Sequence, residues 1–362
     1  MDQADHRNNF DAIRLAAALG VLYSHSFPLH GSADPKFMTL STLGTFWVYV
    51  FFAMSGFLVT RSWLSDPHIL RFLLRRALRI FPALIGVVLL SALVLGPLVT
   101  DLSPTAYLTH RTTYGYLRNG FLLIVYVLPG VFTHNPYPLA VNGCLWSLPV
   151  EFFMYCLVLL FGLTPLIRSK WPILVITIAF AVAGQYLRVH HPENIVYAYM
   201  DIRQIFFTGG YFFAGAAIYL YRDRVTFSAT AIVLVFSLGL AVDGGPLIQY
   251  WGPLAVPFAV IAVCLRHERW LHIPERFGDL SYGIYLYGFP VQQTVEFLWH
   301  DRLTVALAFC IELALTCLCA FLSWHLLEKH ALRLKPRACH PRRSALEPRE
   351  APLAIEAGAE LQ

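Results

Sequence analysis

The sequence predicts an all-α fold: a polytopic membrane bundle of about ten transmembrane helices plus one short re-entrant or interfacial segment, with both termini cytoplasmic. Three observations lead to this fold class. Of the 362 residues, 57% are apolar and 14% are charged, whereas soluble domains carry about 25% charged residues. Apolar stretches of about 20 residues, the length that crosses a bilayer as a helix, recur along the chain. Lysine and arginine gather in alternate loops between these stretches.

Ten apolar stretches are long enough to be transmembrane helices. A further apolar run, FLLIVYVLPGVFT at residues 121–133, is shorter and contains a Pro-Gly pair. It therefore fits a re-entrant or interfacial segment better than a span. The predicted spans cover residues 10–29, 43–60, 80–99, 145–167, 171–187, 203–221, 226–242, 248–265, 280–298 and 303–325.

The loop charges predict the orientation of the bundle. With ten spans and both termini inside, 20 of the 27 lysines and arginines fall in cytoplasmic segments and five fall outside. Cytoplasmic loops of membrane proteins carry such an excess. Counting 121–133 as an eleventh span would move every later basic loop outside, so we exclude that topology.

The chain is predicted to form one transmembrane domain, residues 8–335. Its N-terminus lacks the layout of a cleaved signal peptide, because Arg14 interrupts the apolar region and no small-residue cleavage site follows. Residues 336–362 are rich in Pro, Arg, Ala and Glu without an apolar period, which predicts a disordered cytoplasmic tail.

Two classes of partner are not expected. The seven cysteines show no spacing typical of a metal site, so no metal is predicted. The net charge of +5 is not arranged as a basic stripe with interleaved aromatic residues, so no nucleic-acid partner is predicted. The sequence indicates no oligomeric state.

Two ionisable residues lie within the first predicted span. Arg14 and His25 are 11 positions apart, which is three helical turns plus about 20°, so they share one helix face about 16 Å apart along the axis. Charged groups in lipid are unfavourable and usually face a protein interior or a water-filled cavity. The shared face indicates the wall of a functional pathway. Alternatively, Arg14 extends to the inner headgroups and His25 bonds a neighbouring helix.

The stretch CLWSLPVEFFMY, which opens the fourth span, places Glu151 at about the depth of His25. A carboxylate bonded to an imidazole orients the ring and raises its basicity. We therefore predict that Glu151 assists His25, with Trp146 and Ser147 as candidate substrate contacts. The alternative is that Glu151 pairs with Arg203 at the top of the sixth span.

The stretch RFLLRRALRIFPAL leads into the third span from the cytoplasm. Arg76 and Arg79 are three positions apart, so they are neighbours on a helix face, at about the level of Arg14. Guanidinium groups bind phosphate through a planar fork of donors, so these residues predict a phosphate-binding mouth. The alternative is a topology signal without a ligand.

The last two spans carry further polar residues. The Tyr-rich stretch SYGIYLYGFPVQQ at 281–293 contains Tyr282, a candidate substrate contact, although aromatic residues at this spacing more often pack between helices. Glu296 and Glu312 also lie within predicted spans, and bonds to backbone or tyrosine hydroxyls would account for them.

Six stretches resemble, in order, the recurring blocks of the acyltransferase-3 family, bacterial integral membrane enzymes that O-acylate cell-surface and exported glycans. The resemblance covers about residues 8–335. The matching stretches are NNFDAIRLAAALGVLYSHSF, VFFAMSGFLVT, FLLRRALRIFPAL, LWSLPVEFFMY, SYGIYLYGFPV and SWHLLEKHALRLK.

The resemblance implies roles for individual residues. It implies that His25 is catalytic, that Arg14, Arg76 and Arg79 contact the acyl-CoA donor, and that Glu151 is a functional position. Many members have a histidine where this chain has Gly288. The short tail implies a member with the membrane domain alone.

Together these observations predict an O-acyltransferase of the bacterial inner (plasma) membrane. It would move an acyl group, acetyl by family frequency or alternatively succinyl, from cytoplasmic acyl-CoA to a glycan or glycolipid hydroxyl, within membrane lipid. Lipopolysaccharide and exopolysaccharide are among the acceptors that stay open. His25 would be the general base, and acetyl-CoA the donor. The alternative function is a multi-span transporter, which commonly has two matching halves; no such repeat is evident in this sequence.

Overall fold

The computed structural model describes residues 9–165, 169–191, 193–197, 200–266, 278–299 and 302–336. Within these ranges the chain is mainly helical, as predicted. Its named strands form two short antiparallel hairpins, in which β1 (Lys36–Phe37) pairs with β2 (Ser41–Thr42) and β3 (Val196–Tyr197) pairs with β4 (Met200–Asp201). The predicted tail lies outside the described residues apart from Pro336.

Each of the ten predicted spans coincides with a helix. The bounds differ by at most five residues except in the third helix, which begins 11 residues before its predicted span and ends nine residues before the span does; a π-helical turn, Ser91–Leu95, and a short helix, Gly96–Val99, complete the span. Short helices that were not predicted follow the third helix and end the described chain. The helices are α1 (Phe10–Leu29), α2 (Leu43–Ser65), α3 (Ile69–Leu90), α4 (Gly96–Val99), α5 (Pro104–Thr109), α6 (Arg111–Tyr116), α7 (Ser147–Gly162), α8 (Lys170–His190), α9 (Ile202–Tyr221), α10 (Ala229–Val242), α11 (Ile248–Cys264), α12 (Ser281–Trp299), α13 (Val305–Ser323) and α14 (Lys329–Arg333).

Among the described residues, five helical stretches are long and apolar enough to cross a membrane by length and composition. Two shorter apolar helices, α10 and α11, add to them. The total of ten spans and the cytoplasmic placement of both termini stay predictions. The five stretches are Leu43–Ser65, Ile69–Val99, Gly143–Gly162, Lys170–His190 and Val305–Arg333.

The segment at 121–133 is not a membrane-spanning helix. A 3₁₀ turn, Leu117–Phe121, ends at Leu122, whose backbone is left-handed with φ of 62°. The chain then runs irregularly, with a turn at Gly130, where φ is 67°, and isolated bridges to neighbouring loop residues. Residues 121–133 therefore do not form a spanning helix, as predicted, and their re-entrant or interfacial placement stays a prediction.

Close approach of α2 and α9 depends on two glycines. A Cβ added at Gly56 would lie 1.8 Å from the carbonyl oxygen of Phe212, and one added at Gly215 would lie 2.1 Å from that of Ala53. Membrane helices commonly approach through small residues of this kind. The pair α2 and α9 thereby packs more extensively than any other two of the described helices, and α1 packs against both α2 and α12.

The outer faces of several helices carry exposed aliphatic side chains. Only 11% of the most apolar window of α8 is buried inside the protein. A soluble protein rarely exposes such continuous apolar surface, so these faces indicate contact with lipid. The exposed side chains include Val175, Ile178 and Val182 on α8, Val233, Leu234 and Leu238 on α10, and Leu315 and Leu318 on α13.

Candidate active site

A cavity of about 110 Å³ lies between α1, α2, α3, α7 and α12. Four charged side chains line it, three guanidinium groups and one carboxylate, together with serine and tyrosine hydroxyls and an apolar wall from α2. We call it the arginine cavity. Its charged residues are Arg14, Arg76, Arg79 and Glu151.

Two of the four arginines of α3, Arg76 and Arg79, line the arginine cavity from one helix face. Arg76 Nη2 donates to Ser62 Oγ over 3.2 Å, and its guanidinium lies 5.7 Å from the ring centre of Tyr155. Arg79 Nη2 donates to Asp279 Oδ2 over 2.7 Å. The Nε of Arg76 is buried and has no hydrogen-bond partner among the described residues. Donor capacity thus remains for an anionic ligand.

The other arginines at the start of α3 have a different role. Arg71 donates to Asp66 from both Nε and Nη2, and Arg75 also bonds Asp66. Asp66 is 3% exposed, so these bonds balance a buried carboxylate at the helix start. Two arginines of this stretch therefore form a structural ion cluster, and two others line the arginine cavity. A stretch that served only as a topology signal would need neither arrangement.

Arg14 reaches the arginine cavity from α1. Its Nη1 donates to Asp11 Oδ1 over 3.0 Å, one turn earlier on the same helix. The side chain remains 28% exposed. Arg14 therefore meets Arg76 and Arg79 at one cavity, as the sequence predicted.

The predicted hydrogen bond between Glu151 and His25 is absent. Glu151 Oε1 accepts from Ser55 Oγ over 2.5 Å and from the Tyr155 hydroxyl over 2.6 Å. The alternative partner, Arg203, bonds Asp201 over 2.9 Å. Similar depth in the bilayer did not imply contact, because each residue along α7 rotates the side chain by about 100°, and this rotation directs Glu151 to the arginine cavity.

His25 lies beside the arginine cavity in a separate small pocket that has no room for a water molecule. Its Nδ1 is 3.7 Å from Cys144 Sγ, and its ring meets Phe289 edge-on at 5.5 Å. The remaining walls come from α1 and α12. We call this space the His25 void; its lining residues also include Gly288 and Gln292.

Tyr285 lines both spaces. Its hydroxyl lies 2.6 Å from Ser147 Oγ and donates to the Cys144 carbonyl over 3.1 Å. These bonds fasten the tyrosine of α12 to the start of α7. Tyr285 therefore forms the partition between the arginine cavity and the His25 void.

The three predicted substrate contacts separate in the structure. Ser147 and Tyr282 line the arginine cavity, and the Tyr282 hydroxyl donates to the Ile80 carbonyl over 2.9 Å. Trp146 ends a 3₁₀ turn, Gly143–Trp146, and packs against the apolar core. It lines neither the arginine cavity nor the His25 void, so the structure does not join it with the other two.

The sequence did not predict that a buried polar cluster forms near the end of α1. His30 Nε2 lies 3.2 Å from Glu296 and 3.5 Å from Glu312, and its Nδ1 is 2.8 Å from the Ser26 carbonyl. The expectation of backbone or tyrosine partners for Glu312 was therefore wrong. Two carboxylates within apolar spans require nearby donors or cations. His30, which directly follows the first predicted span, was a candidate partner that the sequence could have indicated.

Comparison with known proteins places these features in a family. A family model described as an acyltransferase domain matches residues 7–325. An O-acetyl transferase of Shigella phage Sf6 is 29% identical over 333 residues, covering 90% of this chain and 97% of that protein. Nodulation protein 10 of Rhizobium leguminosarum bv. viciae is 31% identical over 372 residues, covering 91% of this chain and 94% of that protein. No solved structure matches the chain significantly.

Proposed function

Because the chain belongs to the acyltransferase-3 family of membrane-embedded acyltransferases, we propose that it transfers an acetyl group from cytoplasmic acetyl-CoA to a hydroxyl of a glycan or glycolipid at the bacterial inner membrane. Family membership favours group transfer over the transporter alternative. The name of the phage relative, an O-acetyl transferase, supports acetyl as the acyl group.

The observation that carries the proposal is the convergence of Arg14, Arg76 and Arg79 on one cavity beside His25. Coenzyme A carries several phosphate groups at one end and a thin pantetheine arm at the other. Phosphate groups suit a cluster of guanidinium donors in a partly dry site. On the predicted topology this cluster faces the cytoplasm, where acetyl-CoA is available.

The thioester end of the donor must reach His25 for transfer. The arginine cavity and the His25 void share Tyr285 as a wall. Movement of this ring would join the two spaces into one channel. The pantetheine arm is narrow enough to follow such a channel while its phosphates stay at the arginines.

His25 acts in this proposal as the general base. Its imidazole takes the proton of the acceptor hydroxyl as the oxygen attacks the thioester carbonyl. The new C–O bond forms, the C–S bond breaks, and the imidazolium returns the proton to the leaving thiolate. The products are an O-acetyl ester and free coenzyme A, so no other reactant is needed. The location of Glu151 in the arginine cavity supports a role at the donor end rather than a bond to His25.

The test is acetyl transfer from radiolabelled acetyl-CoA in membranes that contain the wild-type chain or His25→Ala at matched amounts. Extracted envelope glycans and lipids serve as the acceptor pool. We expect labelled product with the wild type and background label with His25→Ala. Equal labelling would remove His25 from the reaction, and no labelling with the wild type would contradict the proposed donor.

A further inference from the structure

Gln292 is a fully buried side chain of α12, at 0% exposure, and one end of its amide is fastened. The Nε2 lies 2.8 Å from the Leu22 carbonyl oxygen, 2.7 Å from Ser26 Oγ and 3.0 Å from Glu312 Oε2. These contacts link α12 to both α1 and α13. The position of the amide nitrogen is therefore set by three neighbours.

The neighbours also fix which way the amide faces. Leu22 contributes a carbonyl oxygen and Glu312 a carboxylate oxygen that already accepts from Ser26. Both groups require a donor, and only the NH₂ end of a glutamine amide donates. A reversed amide would place its oxygen against two acceptor oxygens. The carbonyl of Gln292 must therefore face away from this cluster.

That carbonyl oxygen is left without a bond. Gln292 Oε1 is buried and has no hydrogen-bond donor among the described residues. Buried polar atoms without a partner are rare in native structures and unfavourable. Gln292 lines the His25 void, and Gly288, one helical turn earlier, contributes no side chain to the same wall. The residue that carries this unused acceptor atom is thus one of those that line the space beside His25.

We propose that Gln292 is a positioning residue for the acceptor, and that its carbonyl accepts a hydrogen bond from a donor group next to the reacting hydroxyl. This inference rests on the proposed function. The reacting hydroxyl has a single proton, which goes to His25, so the group bound by Gln292 is a second one. The acceptor is therefore a sugar with a neighbouring hydroxyl or acylamino N–H beside the acetylated position, rather than a simple monohydric alcohol.

The experiment compares Gln292→Met with Gln293→Met in the labelled acetyl-CoA assay, with the envelope glycan fraction as acceptor. Gln293 is equally buried on the same helix, but its amide bonds Asn135 and the carbonyls of Tyr137 and Ala140 in the loop before α7. It therefore measures the effect of losing a buried glutamine away from the His25 void. The position of the acetyl group in the wild-type product is determined in parallel by NMR.

We expect Gln292→Met to lower kcat/KM for the acceptor about tenfold, the effect of one hydrogen bond, and to leave KM for acetyl-CoA unchanged. Gln293→Met should keep the wild-type acceptor kcat/KM per mole of inserted protein. Equal losses in both variants, or no loss in either, would overturn the proposal.

The product structure keeps the test decisive even if Gln292→Met fails to insert. An acetylated hydroxyl with no neighbouring O–H or N–H would overturn the proposal, and one with such a neighbour supports it. A wild type that transfers no acetyl group at all would instead contradict the proposed function, so the two failures are distinguishable.

Discussion

The hydroxyl oxygens of Tyr285 and Ser147 lie 2.6 Å apart, at the wall between the arginine cavity and the His25 void. The same tyrosine hydroxyl donates to the carbonyl of Cys144, whose thiol contacts His25. The Tyr285 side chain thus forms the partition and also connects the start of α7 to the surroundings of His25, the proposed base. Under the proposed function, the stability of this partition decides how well bound acetyl-CoA is protected from water.

Tyr285→Phe removes both hydroxyl bonds and keeps the ring. Each hydrogen bond contributes about 0.5–1.5 kcal/mol net, so the partition should open more often. We expect hydrolysis of acetyl-CoA without acceptor to rise severalfold relative to transfer, measured as coenzyme A release. Tyr287→Phe, at another buried tyrosine of α12, is the control. A wild-type ratio of hydrolysis to transfer in Tyr285→Phe would show that the hydroxyl does not hold the partition.

Replacing Arg76 and Arg79 together by alanine should weaken donor binding. A hydrogen bond to a charged group contributes about 1.5–3 kcal/mol, so with two arginines removed we expect KM for acetyl-CoA to rise at least about 100-fold, with little change in acceptor KM. Arg71→Ala removes one positive charge from the same helix, but its guanidinium bonds Asp66 rather than lining the arginine cavity. Equal effects of the double variant and Arg71→Ala would assign the loss to net charge or folding.

Glu151→Gln should lower turnover rather than weaken donor binding. An amide oxygen can still accept from Ser55 and Tyr155, so the protein should insert normally. The negative charge beside the three guanidinium groups is lost, and phosphate groups should then leave the arginine cavity more slowly. We expect kcat to fall about tenfold while KM for acetyl-CoA falls or stays constant. The rate of the first turnover should be unaffected. A slow first turnover would instead assign Glu151 to the chemical step.

The sequence predicted the helices well and the contacts between them poorly. Apolar length identified every long helix, because a bilayer requires about 20 apolar residues per crossing. The convergence of Arg14, Arg76 and Arg79 was also predictable, since all three lie near the same end of their predicted spans. Depth along a span does not give rotation about its axis, so the predicted bond between Glu151 and His25 was wrong.

The partition and the buried polar clusters could not be read from the sequence for a related reason. Tyr285, Ser147 and Cys144 meet only when α12 packs beside α7, and such tertiary contacts leave no periodic signal. Gln292 and Gln293 are adjacent and chemically identical, yet the first bonds α1 and α13 and the second bonds the loop before α7. Only the rotation of α12 distinguishes the one beside His25.

Lys335 provides a pH-dependent test of the arginine cavity. Desolvation and then repulsion from Arg79, Arg76 and Arg14 lower the pKa of this lysine to about 8. Because the folded-state pKa is below the ordinary value, the positive charge is present at pH 7 and is lost as the pH rises through about 8. We expect KM for acetyl-CoA to rise between pH 7 and pH 9 in the wild type, and this rise should be absent in Lys335→Met. An identical pH profile in both would exclude an electrostatic effect of Lys335 on the proposed donor site.

Gly56→Ala should destabilise the bundle. The added Cβ would lie 1.8 Å from the Phe212 carbonyl oxygen, so α2 and α9 would have to separate. Overpacking of this kind typically costs about 1–3 kcal/mol, which should appear as a lower unfolding midpoint in detergent. Gly115→Ala is the control, because its Cβ would meet nothing within 4 Å. A wild-type midpoint for Gly56→Ala would mean that the two helices adjust without loss.

The ion pair of Arg79 with Asp279 joins residues 200 positions apart, and this has a consequence for biosynthesis. Chains grow at about 5–20 residues per second, so Arg79 precedes its carboxylate by roughly 10–40 s. During that interval the guanidinium needs another counter-charge, and on the predicted topology we expect the phosphates of the inner leaflet to supply it. Synthesis of Asp279 and α12 then supplies the carboxylate that pairs with Arg79, so the proposed donor site is completed late in insertion.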